Sequence, residues 1–211
     1  MNLSRQLRLL GLAVLALVAT GAVSASGAQA GLFTAGAFPA TITGSIVAPH
    51  ELGTDLGTME CEPTLDGELA AAVEELTLTP IYGNTCHLGM KEVDVNNNGC
   101  DFVVHATATA GENAVEGKLD IVCPENNAMD FQVTSNPVCH LTVPAQANLG
   151  TLTYTNHPMA KDVDLDFNIV ELVYRLDNNC PFAGNHANGI YRGVSTLKAD
   201  HGGAETSFGV D

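Results

Sequence analysis

The chain has no tryptophan, and only 8 of its 211 residues are Lys or Arg. The first absence removes the side chain best suited to stacking on sugar rings, leaving Tyr82, Tyr154, Tyr174 and Tyr191 as substitutes and weakening the case for carbohydrate binding. The second, set against 24 Asp and Glu, gives a formal net charge of −16. A surface so poor in cations cannot build the basic patches that phosphate backbones, anionic lipids or anionic wall polymers require. Nucleic acid is therefore excluded as a partner, while cations, neutral ligands and basic partners stay open. No C-x-x-C is present, which argues against a thioredoxin-like redox site or a zinc ribbon. His50, His87, His105, His140, His157, His186 and His201 show no H-x-x-x-H or H-E-x-x-H spacing and read as scattered surface histidines. Gly193-Val194-Ser195-Thr196-Leu197 lacks the second glycine of a nucleophile elbow, and no serine has a base evident in the sequence.

One apolar run stands out. Arg5 and Arg8 precede Leu9–Ala19, and small residues follow, ending Ala28-Gln29-Ala30. This order is that of a secretory signal peptide over residues 1–30, cut before Gly31. It is an address and not an anchor, so no stable membrane insertion is expected after its removal. No second hydrophobic segment or terminal sorting motif appears, and free secretion is the expected localisation. Both leader arginines leave with it and no carboxylate does, so the exported chain is more acidic still. Residues 31–211 fit a single extracellular domain with a substantial core.

All six cysteines, Cys61, Cys86, Cys100, Cys123, Cys139 and Cys180, lie in the exported part. In an oxidising compartment an even count reads as structural disulfides. Short alternating runs rich in Thr and Val, bounded by Gly, Asn and Pro, predict an all-β domain, an antiparallel β-sandwich or sandwich-like barrel. The expected strands are Ala40–Val47, Thr58–Glu62, Thr77–Ile81, Lys91–Val95, Cys100–Thr109, Val115–Cys123, Ala128–Thr134, Cys139–Val143, Gly150–Thr155, Asp162–Arg175, Gly189–Ala199 and Glu205–Val210. Glu68–Leu76 has good helix formers behind Asp66, but Thr77-Leu78-Thr79 restores strand character at once, which favours an extended segment.

The clearest local inference is a hairpin. Folding Cys100–Thr109 onto Val115–Cys123 around Gly111-Glu112 sets Cys100 opposite Cys123, Phe102 opposite Ile121 and Val104 opposite Leu119 on one face. Asp101, Val103 and His105 then oppose Val122, Asp120 and Lys118 on the other. The register predicts a Cys100–Cys123 disulfide. Cys61–Cys86 would close the preceding strands, and Cys139–Cys180 follows by elimination. Along Asp162–Arg175 the alternation slips near Val170-Glu171, which predicts a β-bulge or a strand that changes sheets.

Two segments carry candidate ligands for calcium. Asp94-x-Asn96-x-Asn98-Gly99 matches the first half of an EF-hand loop, but His105 stands where the bidentate Glu should be and strands flank it, so an Asn-Gly turn competes with an ion site. Asp162, Asp164 and Asp166 share one strand face at spacings of about 7 Å, too far apart to hold one ion unaided. The same carboxylates are the only serious source of an acid pair for glycoside hydrolysis. A solvated strand face is the competing reading.

An ordered set of motifs carries a resemblance: Phe38-Pro39-Ala40-Thr41-Ile42-Thr43-Gly44, Gly57-Thr58-Met59-Glu60-Cys61, Leu76–Tyr82 leading to Cys86, Asn98-Gly99-Cys100, Ile121-Val122-Cys123-Pro124, Leu141-Thr142-Val143-Pro144 after Cys139, Tyr154-Thr155-Asn156, and Cys180-Pro181 ahead of Asn188-Gly189-Ile190-Tyr191-Arg192-Gly193. Together these resemble a family of uncharacterised secreted, cysteine-containing all-β proteins of actinobacteria. The resemblance spans most of the exported chain and implies an exported β domain without bringing an activity, cofactor or catalytic residue. The expected function is a non-catalytic secreted binding or structural module with an unidentified extracellular partner. Its binding loops would include Asn156–Asp162 and Asn178–Gly189, where Asn, His and Gly concentrate. The competing class is a secreted Asp/Glu-dependent hydrolase, with or without calcium.

Overall fold

The computed structural model describes residues 31–111 and 113–211; the signal peptide expected over residues 1–30 lies outside the described residues. Within them the chain is all-β and every strand pairing is antiparallel. The strands are β1 (Phe33–Ala35), β2 (Ala40–Thr54), β3 (Gly57–Cys61), β4 (Thr64–Leu69), β5 (Glu75–Ile81), β6 (Cys86–Leu88), β7 (Lys91–Asn96) and β8 (Asp101–Thr109). They continue with β9 (Ala114–Val122), β10 (Ala128–Val133), β11 (Cys139–Pro144), β12 (Gln146–His157), β13 (Asp162–Leu176), β14 (Gly184–His201), β15 (Ala204–Thr206) and β16 (Phe208–Val210).

The pairings close two circuits that share β2, β13 and β14. The first runs β2-β4-β5-β8-β9-β12-β13-β14 and back to β2. The second runs β2-β3-β6-β7-β10-β11-β13-β14 and back to β2. The shared strands are long enough to serve both, at 15, 15 and 18 residues. Along one edge β2 pairs with β4 through Ala40–Gly44 and with β3 through His50–Thr54. Similarly, β13 pairs with β12 over Asp162–Asn168 and with β11 at Arg175-Leu176. Closure in this way leaves few open strand edges, the exposure that all-β proteins otherwise have to protect.

On β2 and β13, which change partners along one edge, the two partners leave a gap in the ladder. On β2 it falls at Ser45–Pro49, where a proline with no N–H to offer costs no ladder bond. On β13 it falls where the sequence pattern slips: the register shifts between Ile169 and Leu172 and again before Tyr174, and Glu171 has φ 60°. The Gln146 side chain fills this gap as a surrogate strand, its Nε2 donating to the Val173 carbonyl at 2.9 Å and its Oε1 accepting from the Val173 N–H at 2.7 Å.

The chain crosses repeatedly between circuits, from β3 to β4, β5 to β6, β7 to β8, β9 to β10 and β11 to β12. Cys61–Cys86 ties the first two crossings and Cys100–Cys123 the next two, while Cys139–Cys180 ties β11 to the β13–β14 connection. The β8–β9 register sets Phe102 opposite Ile121, Val104 opposite Leu119 and His105 opposite Lys118, as the alternation of apolar residues dictates. Glu68–Leu76 is extended at both ends, with a bend between β4 and β5.

Alternation places one apolar face of each strand inside, and the buried side chains form a continuous core through both circuits. At the outer end of the first circuit, β1 and β16 pair into a cap. Phe33 is fully buried there, bridged to Val73 and packed edge-on against Tyr154 with ring centroids 5.3 Å apart.

Candidate functional site

Beside this cap opens a cleft of about 390 Å³, lined in part by Asn113, Asn156, Lys161, Ser207 and Asp211. Its walls are fixed by local bonds. Asn156 mimics a neighbouring strand for β16: its Nδ2 donates to the Val210 carbonyl at 2.6 Å and its Oδ1 accepts from the Val210 N–H at 2.8 Å. Lys161, with φ 62°, donates its N–H to the His157 carbonyl and accepts from the Phe208 N–H, so the β12–β13 connection is held at both ends. The cleft thus combines a lysine, one of few cations in the chain, with an aspartate and small polar groups. Among the described residues that line it, no pair of carboxylate side chains faces across it, and neither a nucleophile with an adjacent base nor a ligand set for a metal is present.

Of the Asn156–Asp162 segment, Asn156, Pro158 and Lys161 line this concave surface. The Asn178–Gly189 segment is elsewhere: it leaves the far end of β13 and enters β14, reaching back only to Leu172, so ten residues of β13, about 33 Å of strand, separate it from Asp162. They cannot form one site. At the far end, Asp55 in the β2–β3 turn gathers the loop. Its carboxylate lies 2.6 Å from His186 Nδ1, accepts from Tyr174 Oη at 2.9 Å and accepts from Asn188 Nδ2 at 3.0 Å. The His186 ring stacks on Tyr174 with centroids 4.9 Å apart and its Nε2 lies 2.7 Å from the Phe182 carbonyl. Hydrogen bonds from Asn188 first and Tyr174 next hold the Asp55 carboxyl below the usual carboxylate range. With both ring nitrogens of His186 engaged by the protein, this cluster clamps the loop and offers no free base.

The carboxylates proposed for calcium are not brought together. Asn98 and Gly99, with φ 50° and 75°, form a tight turn closed by Cys100 N–H donating to the Asn97 carbonyl at 2.8 Å. Asn96 Oδ1 accepts from the Asn98 N–H, and Asn98 Nδ2 donates to the Ala128 carbonyl, so two of the three oxygen-bearing side chains serve the turn and its attachment to the next crossing. Asp94 lies on the outer face of β7 across from Gln132. On β13, Asp162 is largely buried and Asp166 exposed. Asp164 accepts from Thr196 Oγ1 at 2.6 Å and lies 3.0 Å from His157 Nε2. Although Asp166 lies on the exposed face, neighbouring protein atoms strip enough hydration from its carboxyl to raise its pKa. Among the described residues, the one trio of acidic, His or Cys groups within reach of a common ion is Cys139, Asp177 and Cys180, whose two sulfurs are already bonded to each other.

The histidines depart from the expected scatter of surface groups. His105, His140, His157 and His186 each lie within ion-pair distance of a carboxylate. For His105 the Nε2 approach to Asp120, 3.2 Å, is out of line for a hydrogen bond. His50 is a correction: it is completely buried. Its Nδ1 lies 2.6 Å from Tyr191 Oη and its Nε2 3.0 Å from Ser195 Oγ, and Tyr191 continues the chain to Tyr82. Gly193 makes room for the ring; a Cβ there would stand 2.3 Å from His50 Cδ2. The signal was present in the sequence, since His50 is in phase with Ile42 and Leu52 once β2 is carried past Val47 through Pro49. Ser195 and His50 adjoin as a nucleophile and base would, but neither has any exposed surface for a substrate to reach.

Comparison with known protein families, curated proteins and solved structures gives no match to this chain.

Proposed function

We propose that the protein is an exported, non-catalytic binding module whose ligand surface is the cleft beside the β1–β16 cap. The observation that carries this reading is the cleft itself: a concavity of about 390 Å³ whose walls are immobilised by Asn156 and Lys161 backbone and side-chain bonds. A rigid concavity lowers the ordering cost of binding. The signal-like leader, the three disulfides and the resemblance to secreted actinobacterial proteins support an extracellular setting. The described residues contain no helix long and apolar enough to cross a membrane. The mixed lysine, aspartate and amide lining suits a small polar ligand over an apolar one.

The test is NMR screening of the isotopically labelled, disulfide-bonded protein against amino acids, short peptides and mono- and disaccharides. Binding here would perturb the amides of Asn113, Lys161 and Ser207, and Lys161→Ala would weaken it. Shifts confined to the Asp55–His186 end would move the binding surface to the opposite pole and overturn the assignment.

A further inference from the structure

The junction of the two circuits is built around a basic group in an unusual setting. His50 enters from β2, with Tyr191, Gly193 and Ser195 of β14 against it, and its ring lies 5.2 Å from that of Phe167 on β13. Phe102 of β8 packs on both Phe167 and Tyr191, with centroids 6.0 Å away in each case. Cys61 pairs with His50 across β3, and its sulfur is bonded to Cys86. A small apolar void of about 20 Å³ adjoins this cluster, between Tyr82, Phe102, Leu52 and Tyr191.

The partners of the imidazole are two hydroxyls. Glu51, Glu60, Asp101, Asp166 and Arg192, on the strands packed around it, all occupy the outward positions of their alternation. The titratable groups that do face inward are Tyr191 and, through it, Tyr82, and burial pushes both phenols well above their ordinary range, so they stay neutral. A neutral imidazole satisfies this site with one nitrogen donating and the other accepting. An imidazolium would be a buried charge with no counter-charge.

We propose that His50 is an acid-operated latch on the junction: proton uptake by its ring parts the aromatic cluster between the two circuits, while Cys61–Cys86 and Cys100–Cys123 keep them tethered. The sign follows from burial, which lowers the His50 pKa from 6.5 to about 4. The opened junction binds the proton more tightly than the closed one, so closure is favoured most above the ordinary histidine range and is progressively lost as pH falls from 6.5 towards 4. The opening equilibrium should rise about a hundredfold between pH 7 and pH 4 through this one group. The device is independent of the cleft, which is at the far end of the first circuit.

The experiment follows the His50 ring signals by NMR in the histidine-labelled, disulfide-bonded protein from pH 7 to 3.5, alongside amide exchange of the Glu51–Leu52 and Tyr191–Ser195 segments. Protonation of His50 should coincide with loss of protection in those segments and of the near-ultraviolet circular dichroism of the buried tyrosines. His50→Gln, which keeps hydrogen-bonding capacity but cannot take the proton, should abolish that acid step. An imidazole that titrates while the junction amides stay protected would overturn the proposal, and so would an unchanged acid step in His50→Gln. Should that variant fail to fold, the wild-type titration decides alone.

Discussion

Cys61 is the last residue of β3 and Cys86 the first of β6, so the bond between them fastens the two points at which the chain leaves and re-enters the second circuit. Cys100 and Cys123 do the same for the next pair of crossings, where Asn98 Nδ2 also donates to the Ala128 carbonyl and Asn127 Nδ2 to the Asn98 carbonyl. Replacing Cys100 and Cys123 together by Ser should destabilise the protein by about 2–5 kcal/mol. Amide exchange should then rise first around Asn97–Cys100 and Pro124–Ala128. The Cys139→Ser, Cys180→Ser pair should instead loosen the β11 start and the β13–β14 loop, since that bond lies away from the crossings.

Gly193→Ala should be among the most damaging single-methyl additions in the chain. The new carbon would stand 2.3 Å from the His50 ring, which is sealed in place by Tyr191 and Ser195, and overpacking of this kind costs about 1–3 kcal/mol or more. Gly53→Ala, where the nearest atom lies 3.7 Å away, is the control and should be far milder. Urea unfolding of the two variants distinguishes them.

Asp55 supplies a pH signature at the opposite pole. Its folded pKa is depressed by the hydrogen bonds from Asn188 and Tyr174, so its contribution is complete above the ordinary carboxylate range and lost as pH falls through the lower folded value. Asp55→Asn should lower the melting temperature at pH 6 and converge on wild type in strong acid. A difference that persists unchanged down to pH 2 would show that the carboxylate is not the group responsible.

Calcium should leave the melting temperature unchanged. The side chains of Asn96 and Asn98 are committed to their turn, and Asp164 to Thr196 and His157, while Asp162 and Asp166 stand apart along β13. A rise of about 5 °C in calcium over chelator at matched ionic strength, which a saturating site would produce, would contradict this.

Truncating Phe33 tests the cap. Phe33→Ala removes a fully buried ring from its edge contact with Tyr154 and should cost about 3–5 kcal/mol, with protection lost at Val73 and Val210 before the core. Uniform loss of protection would mean that the cap and both circuits open as one unit.

Period-two alternation made much of this architecture legible. It placed Phe102 and Val104 opposite Ile121 and Leu119, and marked the slip at Val170-Glu171 where β13 changes partners. What alternation cannot give is the identity of the neighbour. Nothing in Asn156–Asp162 or Asn178–Gly189 says that one loop lies at each pole, because that follows from β13 serving both circuits. Short strands were also hidden: Cys86–Leu88 is too brief to show a period, and Thr64–Leu69 is masked by Asp66, Gly67 and Glu68, which are poor strand formers held by β2 and β5. The first expected strand, Ala40–Val47, stops short of Pro49 and so misses the inward phase that buries His50.

Sharing β2 and β14 between the circuits also dictates when the molecule can fold. His50 and Tyr191 stand 141 residues apart in sequence, and the edge of β2 has no lasting partner until β14 has been made. Pairing at such separation places the entropy of closing a long chain ahead of the contacts that reward it. The polypeptide is therefore committed to completing its structure late, since neither circuit can close before β14, near the end of the chain, is in place.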